Sequence, residues 1–261
     1  MADLENTHDV VVDGENVVKR YVDHKPGAAE REWRALTLLD RYAPGLAPAP
    51  VSFDVETVVM TRIHGVPLRG LPGRATHVGA LAEAIGELHA AVPPVVLDRV
   101  PVRPWYLDTL SEQLRKWAES WPGKDPRADR AVREGLRWLD GWRPGEAGVT
   151  PVFGAGDGNL ANFLWDGGRV RIVDFEESGR SDRAFELSEI CEHVSMWVDG
   201  DLGVAHHFEL TPAEERRMRE CRRLHAFMWL FLLSHESPRN PPGTFARQVE
   251  RFLTALDTVR P

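Results

Sequence analysis

The 261-residue sequence is 43% hydrophobic and 28% charged, the composition of a globular protein able to bury a substantial core as one two-lobed domain or two small ones. Its formal net charge of −8 argues against a nucleic-acid partner and favours a neutral or cationic small ligand. No run approaches the roughly 18 apolar residues of a membrane helix, the opening Met-Ala-Asp-Leu-Glu lacks the regions of a secretory signal, and Cys191 and Cys221 are too few for a disulfide framework, so a cytoplasmic location and no membrane partner are expected.

In chain order, His8 to Val12 and Val17 to Val22 are β-rich runs around the hairpin signal Asp13-Gly14-Glu15-Asn16. Ala28 to Tyr42 reads as a helix with Trp33, Leu36 and Leu39 on one side, stopped by Ala43-Pro44-Gly45. A proline-rich loop then leads to β-rich runs at Val51 to Val55 and Thr57 to Ile63, and His64-Gly65-Val66-Pro67-Leu68 reads as a loop-like hinge. Beyond it helices dominate: Val78 to Ala91, Trp105 to Trp121, Arg127 to Trp142, Phe185 to Val198, Ala213 to Ser234 and Phe245 to Val259. The layout is α+β, with a small β-rich lobe over residues 1–63 and a larger helical lobe over 64–261.

The helical part is interrupted by Gly154-Ala155-Gly156-Asp157-Gly158-Asn159-Leu160-Ala161-Asn162, followed by an apolar run, the turn Asp166-Gly167-Gly168 and a Val/Ile-rich return to Asp174-Phe175-Glu176. A three-residue loop at 166–168 would set Asn162 opposite Ile172, with Asp174 one pleat further on the same face as Asn162. Oxygen ligands gathered in this way, completed by waters and substrate phosphates, suit Mg²⁺, and Asp157 is free to act as a base. Taken singly these residues are ordinary turn formers; their order, spacing and intervening hairpin are what point to a site.

Arg outnumbers Lys 28 to 4, and Lys19 is the only lysine inside an apolar strand-like run, where its amine can reach phosphate oxygens as a point charge. Glu32 on the following helix is its candidate partner, with Glu30 in competition. The acidic stretch Glu176, Glu177, Asp182, Glu186, Glu189 and Glu192 reads either as a solvated helix face or as a rim attracting an amine-bearing substrate. Cys191, His193, Cys221 and His225 form at best a weak zinc pattern. G-x-x-x-x-G-K-[ST], G-x-S-x-G and H-E-x-x-H motifs do not occur in the sequence.

With these residues in place, the chain resembles the aminoglycoside phosphotransferases and their choline and fructosamine kinase relatives, which carry H-G-D-x-x-x-x-N, a hairpin, and an Asp followed by an aromatic residue and often Glu. Ala155-Gly156-Asp157 through Asn162 and Asp174-Phe175-Glu176 match except at the first position, while Lys19, Glu32, the strand and linker Val58 to Leu68 and Ile85-Gly86-Glu87-Leu88-His89 follow in the family's order. The resemblance implies a bilobal protein-kinase-like fold and a kinase moving the γ-phosphoryl of ATP or GTP to a hydroxyl of a cationic antibiotic or amino-sugar-like compound. It implies Asp157 as the catalytic base, Asn162 and Asp174 as Mg²⁺ ligands, Lys19 held by Glu32 on the α/β-phosphates, and adenine near Met60, Thr61 and Ile63. A monomer or weak dimer is expected. A metabolic kinase for choline, a sugar or a biosynthetic intermediate, or a catalytically impaired binding module, are the alternatives. Three departures stand out: Ala155 replaces a bracing His, Glu186 stands where Asp is usual, and only seven residues precede the first strand, which implies a short or missing phosphate-covering loop.

Overall fold

A computed structural model describes residues 8–21, 26–145, 148–235 and 240–257. The expected strand end at Val22, the closing helix end at Val259 and the opening residues lie outside the described residues. The chain divides into two compact units, one running through Pro104 and resuming over Pro151–Asp182, the other formed by Trp105–Thr150 and the chain from Arg183 onward. Strand pairing and helix packing place 64–104 and 151–182 in the first unit.

The first unit opens with an antiparallel sheet of order β1-β2-β4-β3, built from β1 (His8–Asp13), β2 (Asn16–Tyr21), β3 (Pro50–Asp54) and β4 (Thr57–Thr61). Gly14, at φ 60°, takes the left-handed conformation that closes the β1–β2 turn. Val10 pairs with Lys19 and Lys19 with Val58, so Lys19 and Tyr21 point to the same buried side of β2 while Arg20 faces solvent. Helix α1 (Ala28–Tyr42) packs on this sheet and buries Glu32, Ala35, Leu36 and Leu39, spaced at helical intervals. Trp33 stacks on Phe53 of β3 with ring centroids 5.7 Å apart.

The expected hinge contains a short strand, β5 (Val66–Pro67), which pairs with β7 (Phe163–Trp165), itself paired with β8 (Val170–Ile172). Helix α2 (Val78–Ala91) packs on β8 and on β6 (Pro151–Gly154), and the four-residue α3 (Pro94–Leu97) also touches β6. Strand β6 pairs with β9 (Gly179–Asp182), a two-stranded element the sequence pattern did not announce because its residues, Gly-Arg-Ser-Asp, carry no apolar alternation.

The β7–β8 register corrects the sequence expectation by one residue. Phe163, not Asn162, faces Ile172, because Asp166 Oδ1 accepts hydrogen bonds from the N–H groups of Gly168 and Arg169 at 2.9 and 2.8 Å and so draws Arg169 into the turn. Asp174 therefore does not continue a pleat alongside Asn162. It leaves the strand at φ 69°, a left-handed backbone unusual for a residue with a Cβ.

The second unit is helical: α4 (Leu107–Glu119), α5 (Pro126–Gly141), α6 (Arg183–Glu192), α7 (Val194–Trp197), α8 (Pro212–Leu232) and α9 (Thr244–Asp257). Its core gathers Leu110, Leu114, Leu139, Phe185, Leu224, Phe227, Leu230 and Phe252. Gly135 lets α5 approach closely, since a Cβ there would lie 2.7 Å from the Phe252 ring and 2.9 Å from that of Phe227. The expected helix Phe185 to Val198 is broken at His193, whose Nδ1 accepts from the Ser195 N–H at 3.1 Å and caps α7. The acidic residues on α6 do not form a solvated face. Glu186, Glu189 and Glu192 are buried, and Glu192 is held by Arg222 and Arg251 at 2.7 and 2.9 Å.

Candidate active site

Lys19, Glu32, Asp157, Asn162 and Asp174 all lie in the first unit. Lys19 Nζ donates to Asp174 Oδ1 at 2.5 Å and to Glu32 Oε2 at 3.3 Å, with Glu176 Oε2 3.7 Å away. The ammonium also sits 5.0 Å from the Tyr21 ring centroid. Burial alone would discharge such a lysine; Glu32, Asp174, Tyr21 and Glu176 outweigh it and raise the Lys19 pKa well above its ordinary value. The amine is therefore a fixed cation. Glu30, its competing partner from the sequence, is exposed.

Glu32 joins two chain segments. Its Oε2 also accepts from the Phe175 N–H at 2.7 Å, and the neighbouring Arg31 donates from Nε to the Glu176 carbonyl at 2.6 Å. Helix α1 thus grips the backbone immediately after Asp174, fixing the carboxylate whose backbone is strained. Burial raises the Glu32 pKa, opposed chiefly by Lys19. Its Oε1 is buried without a hydrogen-bond partner among the described residues.

The loop after β6 carries Asp157 and Asn162. Asp157 Oδ1 accepts from the Asn159 N–H and Oδ2 from Asn162 Nδ2, both at 3.0 Å. Asn162 is buried, and its carbonyl oxygen accepts from the Val173 N–H at 2.9 Å, tying the loop to the residue before Asp174. Asp157 shows only part of its surface to solvent and is densely surrounded. Burial, and next the charge of Asp174, push its carboxyl up to about 6. A carboxylate with that pKa is a better proton acceptor near neutral pH than an ordinary Asp.

The donor set fits Mg²⁺. The Asn162 amide nitrogen is spent on Asp157, which leaves its side-chain oxygen as the donor, and Asp174 Oδ2 has no protein hydrogen-bond partner among the described residues. Asp174 keeps 29% of its side chain exposed, so a ligand can reach it. Among the described residues there is no group of three or more His, Cys, Asp or Glu side chains that could hold a metal ion. This leaves the Cys–His pattern without a zinc cluster, and His193 and His225 instead make hydrogen bonds with Ser195 and Ser188.

Met60 is buried on β4, and Thr61 and Ile63 are half-buried beyond it. Thr61 N–H is spent on the Ala49 carbonyl and Arg62 N–H on that of Glu15, at 2.9 and 2.7 Å, whereas Ile63 makes no backbone hydrogen bond among the described residues. Sequence reasoning missed Arg31 and Arg103. Arg103 Nη2 donates to the Gly156 carbonyl at 2.8 Å beside Asp157, and nothing about an arginine between Val102 and Pro104 announces such a contact.

The β-rich N-terminal sheet and the larger helical part are the architecture of the protein-kinase-like phosphotransferases. The chain belongs to the phosphotransferase enzyme family (APH), whose family model matches residues 3–221. Among solved structures it is similar to a choline/ethanolamine kinase family protein from Mesorhizobium loti, with 20% identity, a TM-score of 0.64 and coverage of 98% of this chain and 90% of that one. It is also similar to the choline kinase LicA of Streptococcus pneumoniae, with 15% identity, a TM-score of 0.62 and coverage of 99% and 92%. A spectinomycin phosphotransferase, APH(9)-Ia, in complex with ADP and spectinomycin, shares 11% identity at a TM-score of 0.61, covering 100% of this chain and 88% of that one. Among curated proteins, none matches the sequence.

Proposed function

We propose that this phosphotransferase moves the γ-phosphoryl group of ATP, or GTP, to a hydroxyl of a small cationic acceptor of the antibiotic or amino-sugar type. The observation that carries the reading is the single linked set in the first unit: Glu32 holds Lys19 and the Phe175 backbone, Lys19 meets Asp174, and Asn162 meets Asp157. Lys19 binds phosphate oxygens as a fixed cation, and the hinge at Met60, Thr61 and Ile63 receives the base. Asn162 and Asp174 would hold Mg²⁺, which when bound neutralises charge on the transferring phosphoryl group. Asp157 orients the acceptor hydroxyl and takes its proton as that oxygen attacks phosphorus and the nucleoside diphosphate leaves. Little covalent chemistry is asked of the protein, so positioning and charge carry the rate.

The choline-kinase-like neighbours favour a second acceptor class on the same machinery equally well, a choline-like alcohol, within the metabolic alternative of choline, a sugar or a biosynthetic intermediate. Antibiotic resistance belongs to the first class alone, whereas a cytoplasmic location goes with either. Among the described residues no helix is long and apolar enough to cross a membrane. The test is a panel of aminoglycosides, other hydroxylated antibiotics, choline and sugars, assayed with Mg²⁺-ATP and Mg²⁺-GTP. Phosphorylation of one class, lost in a folded Asp157→Ala protein, supports the reading. Binding of nucleotide with no turnover on any acceptor or on water would make the protein a binding module.

A further inference from the structure

We infer that Arg103 is the positioning residue of the loop that carries Asp157. The inference rests on the assignment of Asp157 as the base. The residue before Gly156 is Ala155, whose methyl group offers the loop no hydrogen bond. Gly156 itself lies at φ 92°, where a Cβ would stand 2.3 Å from the Glu177 carbonyl oxygen, so the loop is pressed against the 177 backbone with no room for a side chain at 156.

The brace comes from outside the loop. Arg103 is 2% exposed, and its Nη2 donates to the Gly156 carbonyl at 2.8 Å while Nε donates to the Pro104 carbonyl at 3.2 Å. That carbonyl belongs to the peptide plane joining Gly156 to Asp157, so holding it fixes the direction in which the Asp157 Cα departs. A guanidinium suits the task, being planar, permanently charged and able to serve two acceptors from one rigid fork.

The backbone of Arg103 is fixed in turn. Its N–H donates to the Arg180 carbonyl at 3.1 Å, the Arg180 N–H donates to the Pro101 carbonyl at 2.9 Å, and Val102 bridges Arg180 in parallel. Gly179 lies against it so closely that a Cβ would be 2.8 Å from the Arg103 N and Cα. The 177–180 backbone therefore presses on Gly156 at one end and clamps Arg103 at the other. The guanidinium closes that loop onto the peptide of the base, and Arg103 acts on the reaction through Asp157 without touching the reacting atoms.

The test uses the full chain and Arg103→Met, which keeps the buried stem volume and removes the donors. The probe is Mg²⁺-ATP with water as acceptor, read as phosphate release, beside hydrogen exchange of the nucleotide-free protein. Expected is a fall in kcat of about 10-fold to 100-fold with KM for ATP within about twofold, the signature of a displaced catalytic group rather than lost binding. Amides of 155–162 should exchange faster while those of β2, α1 and β4 are unchanged. Arg103→Lys, which keeps one donor head, should recover part of kcat. A folded Arg103→Met with wild-type kcat and wild-type loop exchange, or one whose exchange rises evenly through the first unit, overturns the proposal. If Arg103→Met does not fold, Arg103→Lys is read the same way, and wild-type kcat and loop exchange there overturn it. Asp157→Ala is run in parallel: turnover surviving in it defeats the assignment of the base, whereas its loss beside an unaffected Arg103 variant defeats only the brace.

Discussion

At the scale of single residues, Asp157 is held in a state the fold pays for. Its carboxyl is lifted from 3.8 to about 6 by burial and by Asp174, so the ionised form is disfavoured in the folded chain. For an acid with a raised folded pKa, the cost is complete above that pKa and disappears as pH falls through it and the folded protein takes up the proton. Asp157→Asn is therefore expected to abolish phosphoryl transfer while stabilising the protein by about 1–2 kcal/mol at pH 7.5, less than the full shift implies because the Asn159 and Asn162 donors lose a charged acceptor. The gain should fade between about pH 6 and 4; denaturant melts of both proteins across that range are the measurement, and a constant difference would refute the mechanism. Lys19 is the opposite case, a buried cation facing Glu32, Asp174 and Glu176. Lys19→Met should cost about 3–5 kcal/mol by leaving Glu32 uncompensated, and adding Glu32→Gln should recover much of that stability. Nucleotide affinity should stay lost in both, measured by calorimetric titration with ADP and Mg²⁺. Lys19 and Glu32 were legible as a candidate pair because a lysine in an apolar strand run is rare in this chain. Arg103 was not, since its partner is a backbone carbonyl 53 residues away and backbone groups carry no sequence signal.

At the scale of elements, periodicity located most helices to within a few residues, while strand register and short strands were decided by contacts that periodicity does not encode. The β7–β8 turn gained a residue because the Asp166 side chain captured two N–H groups, and that single Asx turn moved every pair by one. Strand β9 was invisible because it is polar and pairs with a strand 25 or more residues earlier. The start of α8 shows the same dependence on side-chain hydrogen bonds. Thr211 and Glu214 form a reciprocal capping box, and Glu214 also receives the Arg183 fork at 3.0 and 2.5 Å. Burial works against ionisation of Glu214, but Arg183, the Thr211 N–H and the Thr150 hydroxyl prevail and take its pKa from 4.5 down to about 2. A depressed acid contributes stability above its unfolded pKa and loses it as pH falls through the folded one. Glu214→Gln should thus cost about 2–3 kcal/mol at neutral pH, and the gap between the two proteins should narrow from about pH 4.5 towards 2, read by denaturant melts at fixed ionic strength. A gap independent of pH would mean that packing, not charge, makes Glu214 matter.

At the scale of the whole molecule, the order of the chain and the order of its packing differ. Every candidate site residue lies before Asp182, yet the first unit is interrupted by Trp105–Thr150, which belongs with the helices from Arg183 onward. This interleaving has no local signature in the sequence, since it depends on the β5–β7 pair and on the packing of α2 on β6 and β8. The interleaving predicts how the protein fails when cut. A chain ending at Asp182 would keep Lys19, Glu32, Asp157, Asn162 and Asp174, but α4 and α5 would lose Phe185, Leu224, Phe227, Leu230 and Phe252, the other half of their core. Burying a side chain of that size is worth about 1.5–3 kcal/mol, so losing five of them removes about 7.5–15 kcal/mol, comparable to the whole 5–15 kcal/mol that separates folded from unfolded domains. The truncated chain should therefore expose apolar surface from 107–142, bind a hydrophobic dye and melt without cooperativity, and Mg²⁺-ATP should produce no thermal shift in it although the full chain is stabilised. A truncated chain that melts cooperatively and binds nucleotide would show instead that the first unit folds around an unpartnered helical insertion, and that the helices after Asp182 serve the acceptor alone.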